Sequence, residues 1–275
     1  MKKVNYPLIV SDFDGTLVNG DGSISQENKE MIAAYTEAGG HFAISTGRLP
    51  MGILPRVKEL GLKGIVSCCQ GSILLDIESG KTIMEGRLSY ETTLAIVEEM
   101  EKLQLHIHIY DTWEYYSNRA DDALKFYEHA VGIKAKLITD KPMSQFIREN
   151  KFQSCKVLAM VAEEDNARVM QTMQEANFDG CAVTKSSKYL VEVINATYSK
   201  ATAVEFLAKW YQVPLEKTIA IGDQCNDLPM IETAGLGIAV QNAEESLKEK
   251  ADYIMAYTNE EGAVAKVIEK FGFMA

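Results

Sequence analysis

Short apolar runs that each end in a knot of polar residues, separated by stretches of helical periodicity, constrain this chain more than any other feature. Leu8-Ile9-Val10-Ser11, His41-Phe42-Ala43-Ile44-Ser45 and Gly64-Ile65-Val66-Ser67 are such runs near the start, and Thr218-Ile219-Ala220-Ile221 and Leu236 to Val240 repeat the pattern near the end. A strand that is apolar on both faces must be covered on both, the condition of a parallel sheet lying between helices. The intervening segments supply those helices. Ser25 is placed to cap one whose apolar positions Met31, Ile32, Tyr35 and Ala38 share a face, and Gly39-Gly40 ends it. A second runs from Arg48 to Leu60, and a third from about Lys200 with Val204, Leu207, Ala208 and Tyr211 on one side. Shorter helices cover Asp227 to Ala234, Ala243 to Lys250 and Glu260 to Phe271, with a short strand at Asp252 to Met255. The β-α-β-α-β order predicts an α/β fold: a Rossmann-like parallel-sheet core with helices on both faces.

From about residue 83 to 188 the texture changes. A helix at Tyr90 to Leu103, with Leu94, Val97 and Met100 in register, precedes the strand-like Leu105 to Tyr110; later come strands at Ser154 to Val161, Cys181 to Lys185 and Tyr189 to Ile194, around a helix at Glu164 to Glu175. This stretch reads as an inserted α+β unit, dividing the chain into a first core segment (1–82), the insert (83–188), which the resemblance named below makes a cap domain, and a second core segment (189–275). A prior of about 150 residues per domain accommodates that division.

Thirty-nine acidic against 28 basic residues give a net charge of −11. Duplex nucleic acid and anionic membrane surfaces call for a basic footprint, so neither is expected as a partner; a small anion needs only a few local cations. No apolar run approaches the roughly 18 residues of a spanning helix, and Leu8 to Val10 is too short for a signal peptide. Five cysteines, an odd count without a C-x-x-C pair, fit a reduced compartment. The expected location is the cytoplasm.

The polar knots carry the chemistry. Asp12-Phe13-Asp14-Gly15-Thr16 follows the first buried run, with two carboxylates at i and i+2 where open α/β sheets bind ligands. An EF-hand loop would need a third Asp or Asn at Thr16. Thr46-Gly47-Arg48 places a hydroxyl, a close-approach glycine and a guanidinium at a second strand end. Lys200 opens a helix after Ser199, and Gly222-Asp223-Gln224-Cys225-Asn226-Asp227 adds two acids and an amide after another apolar run. Each alone has a structural explanation: Thr46 as a cap, Lys200 as a surface charge, Asp227 as a first-turn acid. Their conjunction in this order points to a site. A phosphate-binding P-loop is absent, since Leu75 stands where the first glycine before Gly80-Lys81 belongs; Val240 interrupts a dinucleotide fingerprint at Gly235-Leu236-Gly237.

With these motifs the chain resembles the haloacid dehalogenase superfamily and, within it, the Cof-type (type IIB) phosphatases. The resemblance covers essentially the whole chain: D-x-D-G-T at Asp12 to Thr16, T-G-R at Thr46 to Arg48, the motif lysine Lys200, G-D-x-x-N-D at Gly222 to Asp227, and the position of the cap. It implies a phosphomonoester hydrolase with Asp12 as the nucleophile forming an aspartyl-phosphate and Asp14 as general acid and then base. It further implies Mg²⁺ held by the Asp12 and Asp223 carboxylates and the Asp14 carbonyl. The Phe13 and Gly47 amides, the Thr46 hydroxyl, Lys200 and the Asn226 side chain would hold the phosphate, with Arg48 and Asp227 in support. At 4 Å and an effective dielectric of 20, two like unit charges repel by about 4 kcal/mol, so an anionic nucleophile and an anionic substrate need cations between them.

The sequence departs from the family pattern twice. Ala201 replaces the usual glycine after the lysine, and Gln70-Gly71-Ser72 stands where Asn-Gly-Ala is common. The expected substrate is a small phosphorylated metabolite, a sugar phosphate or a phosphorylated cofactor. A hexose phosphomutase and a non-catalytic phosphometabolite-binding protein are the alternatives; free phosphate release separates the first, and the presence of Asp14 speaks against the second. In the cap, Tyr110, Trp113, Tyr115 and Tyr116 are read as packing residues rather than ring-stacking ones. His106 and His108 share a strand face without further ligands for a metal.

Overall fold

The computed structural model describes residues 3–274; Met1, Lys2 and Ala275, which the sequence division counts in its outer segments, lie outside the described residues. A five-stranded parallel sheet runs in the order Tyr253–Ile254, Leu236–Ala239, Thr218–Gly222, Leu8–Ser11, His41–Ile44. Its register sets Ser11 beside both Ile221 and Ile44, so three strands end at one rim. The strand Leu8–Ser11 is buried along its whole length, as its unbroken apolar character requires. Helix Gln26–Glu37 starts where expected, with the Ser25 hydroxyl accepting from the Asn28 amide at 3.2 Å.

The third early strand departs from the expected topology. Ile65–Cys68 pairs antiparallel with Ile73–Asp76, which pairs in turn with Thr82–Glu85. It touches the parallel sheet through an isolated bridge, Ser45 to Ser67. The cause is the turn at 69–71, where Cys69, Gln70 and Gly71 all have positive φ and reverse the chain into a hairpin. Gly71 is obligatory: a Cβ there would lie 2.1 Å from the Ser199 carbonyl oxygen.

A second sheet of six strands has the order Cys181–Ser187, Leu190–Asn195, Lys156–Met160, His106–Tyr110, Tyr115–Ser117, Lys136–Leu137. It is antiparallel except for its last pair. Alternation along the strands divides its residues. Ile107, Ile109, Val157, Ala159, Val191 and Val193 pack with helices Tyr90–Lys102, Met143–Asn150 and Glu163–Glu175 in one apolar core. Tyr110 and Leu158, on the opposite face, belong instead to the core cluster of the parallel sheet. His106, His108, Lys156 and Glu192 share that second face by the same alternation and are buried.

The strand Leu190–Asn195, on the core side of the boundary expected at 189, hydrogen-bonds within this six-stranded sheet. We therefore propose 83–195 as the extent of the cap, its last hairpin being too intimately paired to divide at residue 189. Helix Asp122–Val131, helix Met143–Asn150 and the short strands Tyr115–Ser117 and Lys136–Leu137 were not foreseen from the sequence. Among the described residues no helix is long and apolar enough to cross a membrane.

Candidate active site

The strand ends at the rim of the parallel sheet bring the separate motifs together. Asp12 follows the strand Leu8–Ser11, its amide donating to the Ile221 carbonyl at 2.8 Å, and its side chain is almost wholly buried. Lys200 is the first residue of helix Lys200–Trp210, whose start is fixed by a capping box between Ser199 and Thr202. Its ammonium donates to Asp12 Oδ1 and, at 2.6 Å, to Asp227 Oδ1. The surface-charge explanation of Lys200 is thereby excluded, since the side chain has no exposure at all.

Asp227 is saturated. Besides Lys200, its Oδ2 accepts from the amides of Asp223 and Gln224 at 2.9 and 3.0 Å. Asp223 Oδ1 accepts from the Thr16 hydroxyl at 2.8 Å. Gly15, at φ +80, lets the chain turn over this carboxylate, because a Cβ there would fall 2.4 Å from Asp223 Oδ2.

Three carboxylates, Asp12, Asp223 and Asp227, present oxygens all within 4.8 Å of one another. Burial, followed by Asp227, holds the Asp12 carboxyl well above its ordinary range against the pull of Lys200. Burial and then Asp227 push Asp223 up to about 7. Burial also opposes the charge on Lys200, but Asp12 and Asp227 outweigh it and hold the ammonium above lysine's usual value. Fully ionised, three carboxylates against one ammonium carry two negative charges in excess. The site suits a hard divalent cation: its free donors are carboxylate oxygens, and Asp227, already saturated, stands behind them.

Asp14 faces the cavity with its carboxylate held by a two-pronged Arg48 contact, Nε to Oδ2 at 2.8 Å and Nη2 to Oδ1 at 2.7 Å. The same guanidinium lies 5.1 Å from the Phe13 ring centroid and donates to the Ala130 carbonyl in the cap at 3.1 Å. The buried Thr46 hydroxyl accepts from the Arg48 amide at 3.2 Å. Asn226 donates to Gln70 Oε1 at 3.0 Å, while its own Oδ1 is buried without a hydrogen-bond partner. Asp12, Asp14, Thr46, Gly47, Arg48 and Asn226 all line one cavity of about 880 Å³ between the two sheets.

Sequence reasoning missed the roof of this cavity. Lys156 and Glu192, both buried, form an ion pair at 2.7 Å on the lower face of the cap sheet, and Lys156 also donates to the Gly47 carbonyl at 3.1 Å. Burial raises the Glu192 carboxyl, but Lys156 more than compensates, and it ends below its usual range. The available signal was a single charge inside each apolar strand run. Three of the four aromatics pack: Tyr110 and Tyr115 are buried and stacked at 5.4 Å and Tyr116 packs on Phe146 and Phe152, whereas Trp113 is exposed. His106 and His108 do lie together, with Nε2 atoms 3.2 Å apart, and neither joins a metal-binding cluster among the described residues.

Fold and site together define an α/β enzyme that gathers carboxylates and a lysine at the ends of parallel strands. A family model for haloacid dehalogenase-like hydrolases matches residues 9–268, and the chain belongs to that family. It is 27% identical over 271 residues to a putative phosphatase of Haemophilus influenzae, covering 97% of this chain and 98% of that protein. It is 29% identical over 265 residues to the 5-amino-6-(5-phospho-D-ribitylamino)uracil phosphatase YcsE of Bacillus subtilis, covering 96% and 95%. A crystal structure of a haloacid dehalogenase-like hydrolase from Bacteroides thetaiotaomicron superposes with a TM-score of 0.81 at 30% identity, over 96% of this chain and 99% of that one. The protein is a phosphatase.

Proposed function

We propose that the protein is a Mg²⁺-dependent hydrolase of small phosphate monoesters that works through a phosphorylated Asp12. The carrying observation is the convergence of Asp12, Asp223 and Asp227 on one point, with Lys200 the one cation in ion-pair contact with them among the described residues. Mg²⁺, held by the Asp12 and Asp223 carboxylates and the Asp14 carbonyl, would supply the missing positive charge and polarise a phosphate oxygen. Asp12 attacks phosphorus and the leaving alkoxide departs on the opposite side. Lys200 keeps the nucleophile aimed and Asp227 keeps Lys200 in place. The Thr46 hydroxyl, the Phe13 and Gly47 amides and Asn226 bind the remaining oxygens as charge spreads.

Asp14 gives the leaving oxygen its proton, then takes one from the water that hydrolyses the acyl-phosphate. Arg48 holds the Asp14 side chain at the cavity wall. The hydrogen bond from Arg48 to the Ala130 carbonyl links that side chain to the cap.

The leaving group lies in the cavity under the cap. Its walls combine Phe126, Val131, Val161 and Leu190 with the polar His106 and Lys156. Its volume sits in the upper part of the usual range of about 300–1,000 Å³. This supports a sugar phosphate or phosphorylated cofactor as substrate, in keeping with the similarity to YcsE. The test is phosphate release from an aryl phosphate with and without Mg²⁺, beside Asp12→Asn. Loss of the nucleophile is expected to cost about 10⁴-fold or more in kcat; equal turnover by both proteins would refute the assignment.

A further inference from the structure

We propose that Gln70 is a positioning residue that lets a carboxylate of the cap orient the phosphate-binding amide of Asn226. The proposal rests on the phosphatase reading above. Gln70 is one of the positions at which the sequence leaves the family pattern, a longer amide where asparagine is common. It is buried, in the left-handed region at φ +60, and its amide donates to the Thr46 carbonyl at 3.0 Å. The phosphate loop is packed directly on it: a Cβ at Gly47 would come within 2.7 Å of Gln70 Nε2.

The side chain spans two units of the fold. Nε2 lies 3.3 Å from each carboxylate oxygen of Glu192 in the cap, and Oε1 accepts from Asn226 Nδ2 at 3.0 Å in the core. An ionised carboxylate can only accept hydrogen bonds. Glu192, held ionised by Lys156, therefore obliges Gln70 to turn its NH₂ toward the cap and its carbonyl toward Asn226. Asn226 must answer with its own NH₂. That group carries two hydrogens, so one remains for a phosphate oxygen. With the Glu192 charge removed, neither amide has a preferred sense, and Asn226 can turn its carbonyl oxygen against the phosphate. The Lys156 contact to the Gly47 carbonyl places the same ion pair on the other side of the phosphate loop, so seating of the cap and orientation of the amide are one event.

The test uses the full chain with Mg²⁺ and inorganic phosphate as the probe, its affinity read by calorimetry beside kcat for an aryl phosphate. Gln70→Met keeps the length and removes both bonds. Glu192→Gln keeps the size and removes the charge. Gln70→Asn, compatible with a positive φ but too short for both partners, carries the test should the methionine variant fail to fold. Each single change is expected to weaken phosphate binding by about tenfold, the value of one hydrogen bond to a charged group, and to lower kcat similarly. The Gln70→Met/Glu192→Gln double variant is expected to lose no more than the worse single one. Losses that add, or singles that match wild type, overturn the proposal. A wild type that binds and releases phosphate while the variants match it removes only the role of Gln70; a wild type that does neither removes the phosphatase reading, and this inference with it.

Discussion

Two buried lysines, one in each unit, meet carboxylates in opposite ways. In the core, Lys200 faces Asp12 and Asp227 with Asp223 close by, and negative charge is in excess. In the cap, Lys156 faces Glu192 one to one, and the pair is balanced. Both are removed from solvent, so burial alone does not tell a reaction centre from scaffolding. The charge ratio does. A balanced pair asks for nothing further, whereas an unbalanced cluster stays costly until a cation or a proton arrives.

The largest effect that can break this comparison comes from removing each lysine. Lys156→Met strands a buried carboxylate and is expected to cost about 3–5 kcal/mol of stability, most of it recovered when Glu192→Leu is added. Lys200→Met is expected instead to lower kcat about 10²–10³-fold, as loss of a preorganised donor does. Denaturant melts and phosphate release on both variants decide the matter; a Lys156→Met protein as stable as wild type would end the assignment of the cap pair as scaffolding.

Magnesium gives the next largest difference. At 100 times its dissociation constant it is expected to stabilise wild type and Lys156→Met equally, by about 2.7 kcal/mol, and Asp223→Asn hardly at all. An equal gain in Asp223→Asn would move the ion elsewhere.

The smallest effect is a titration confined to the cap. Burial, then the charges of His106 and Lys156, hold the His108 imidazole well below its usual range, so the folded cap keeps it neutral. The stability this gives is fully present above the unfolded value of about 6.5 and declines as pH falls below it, by up to about 1.4 kcal/mol per unit. Unfolding at pH 7.5 and 5.5 should show a larger loss in wild type than in His108→Gln. Equal losses would mean that the ring takes its proton inside the fold.

The core site was more legible because three of its polar knots directly follow strands of a parallel sheet, while Lys200 enters from the start of a helix. Parallel strands point the same way, so residues just after Ser11, Ile44 and Ile221 must meet at one rim however far apart they lie in sequence. The cap was less legible. Its sheet is antiparallel, and which residues oppose one another depends on register. Glu192 lies opposite Leu158, next but one to Lys156, through a pairing that no local pattern fixed in advance. The hairpin Ile65–Cys68 to Ile73–Asp76 was missed for a related reason: the positive φ of Cys69 and Gln70 depends on packing rather than on residue type.

The amino-acid order by itself determined the parallel core and the rim at which its polar residues gather, since periodicity and strand direction are local properties whose consequences are forced. Only the tertiary structure decided which charges the cap buries beside Gly47, and that Gln70 joins Glu192 to Asn226. Those depend on distances between segments that meet only when two sheets close on each other, and a hydrogen bond is set by such distances to within a few tenths of an ångström.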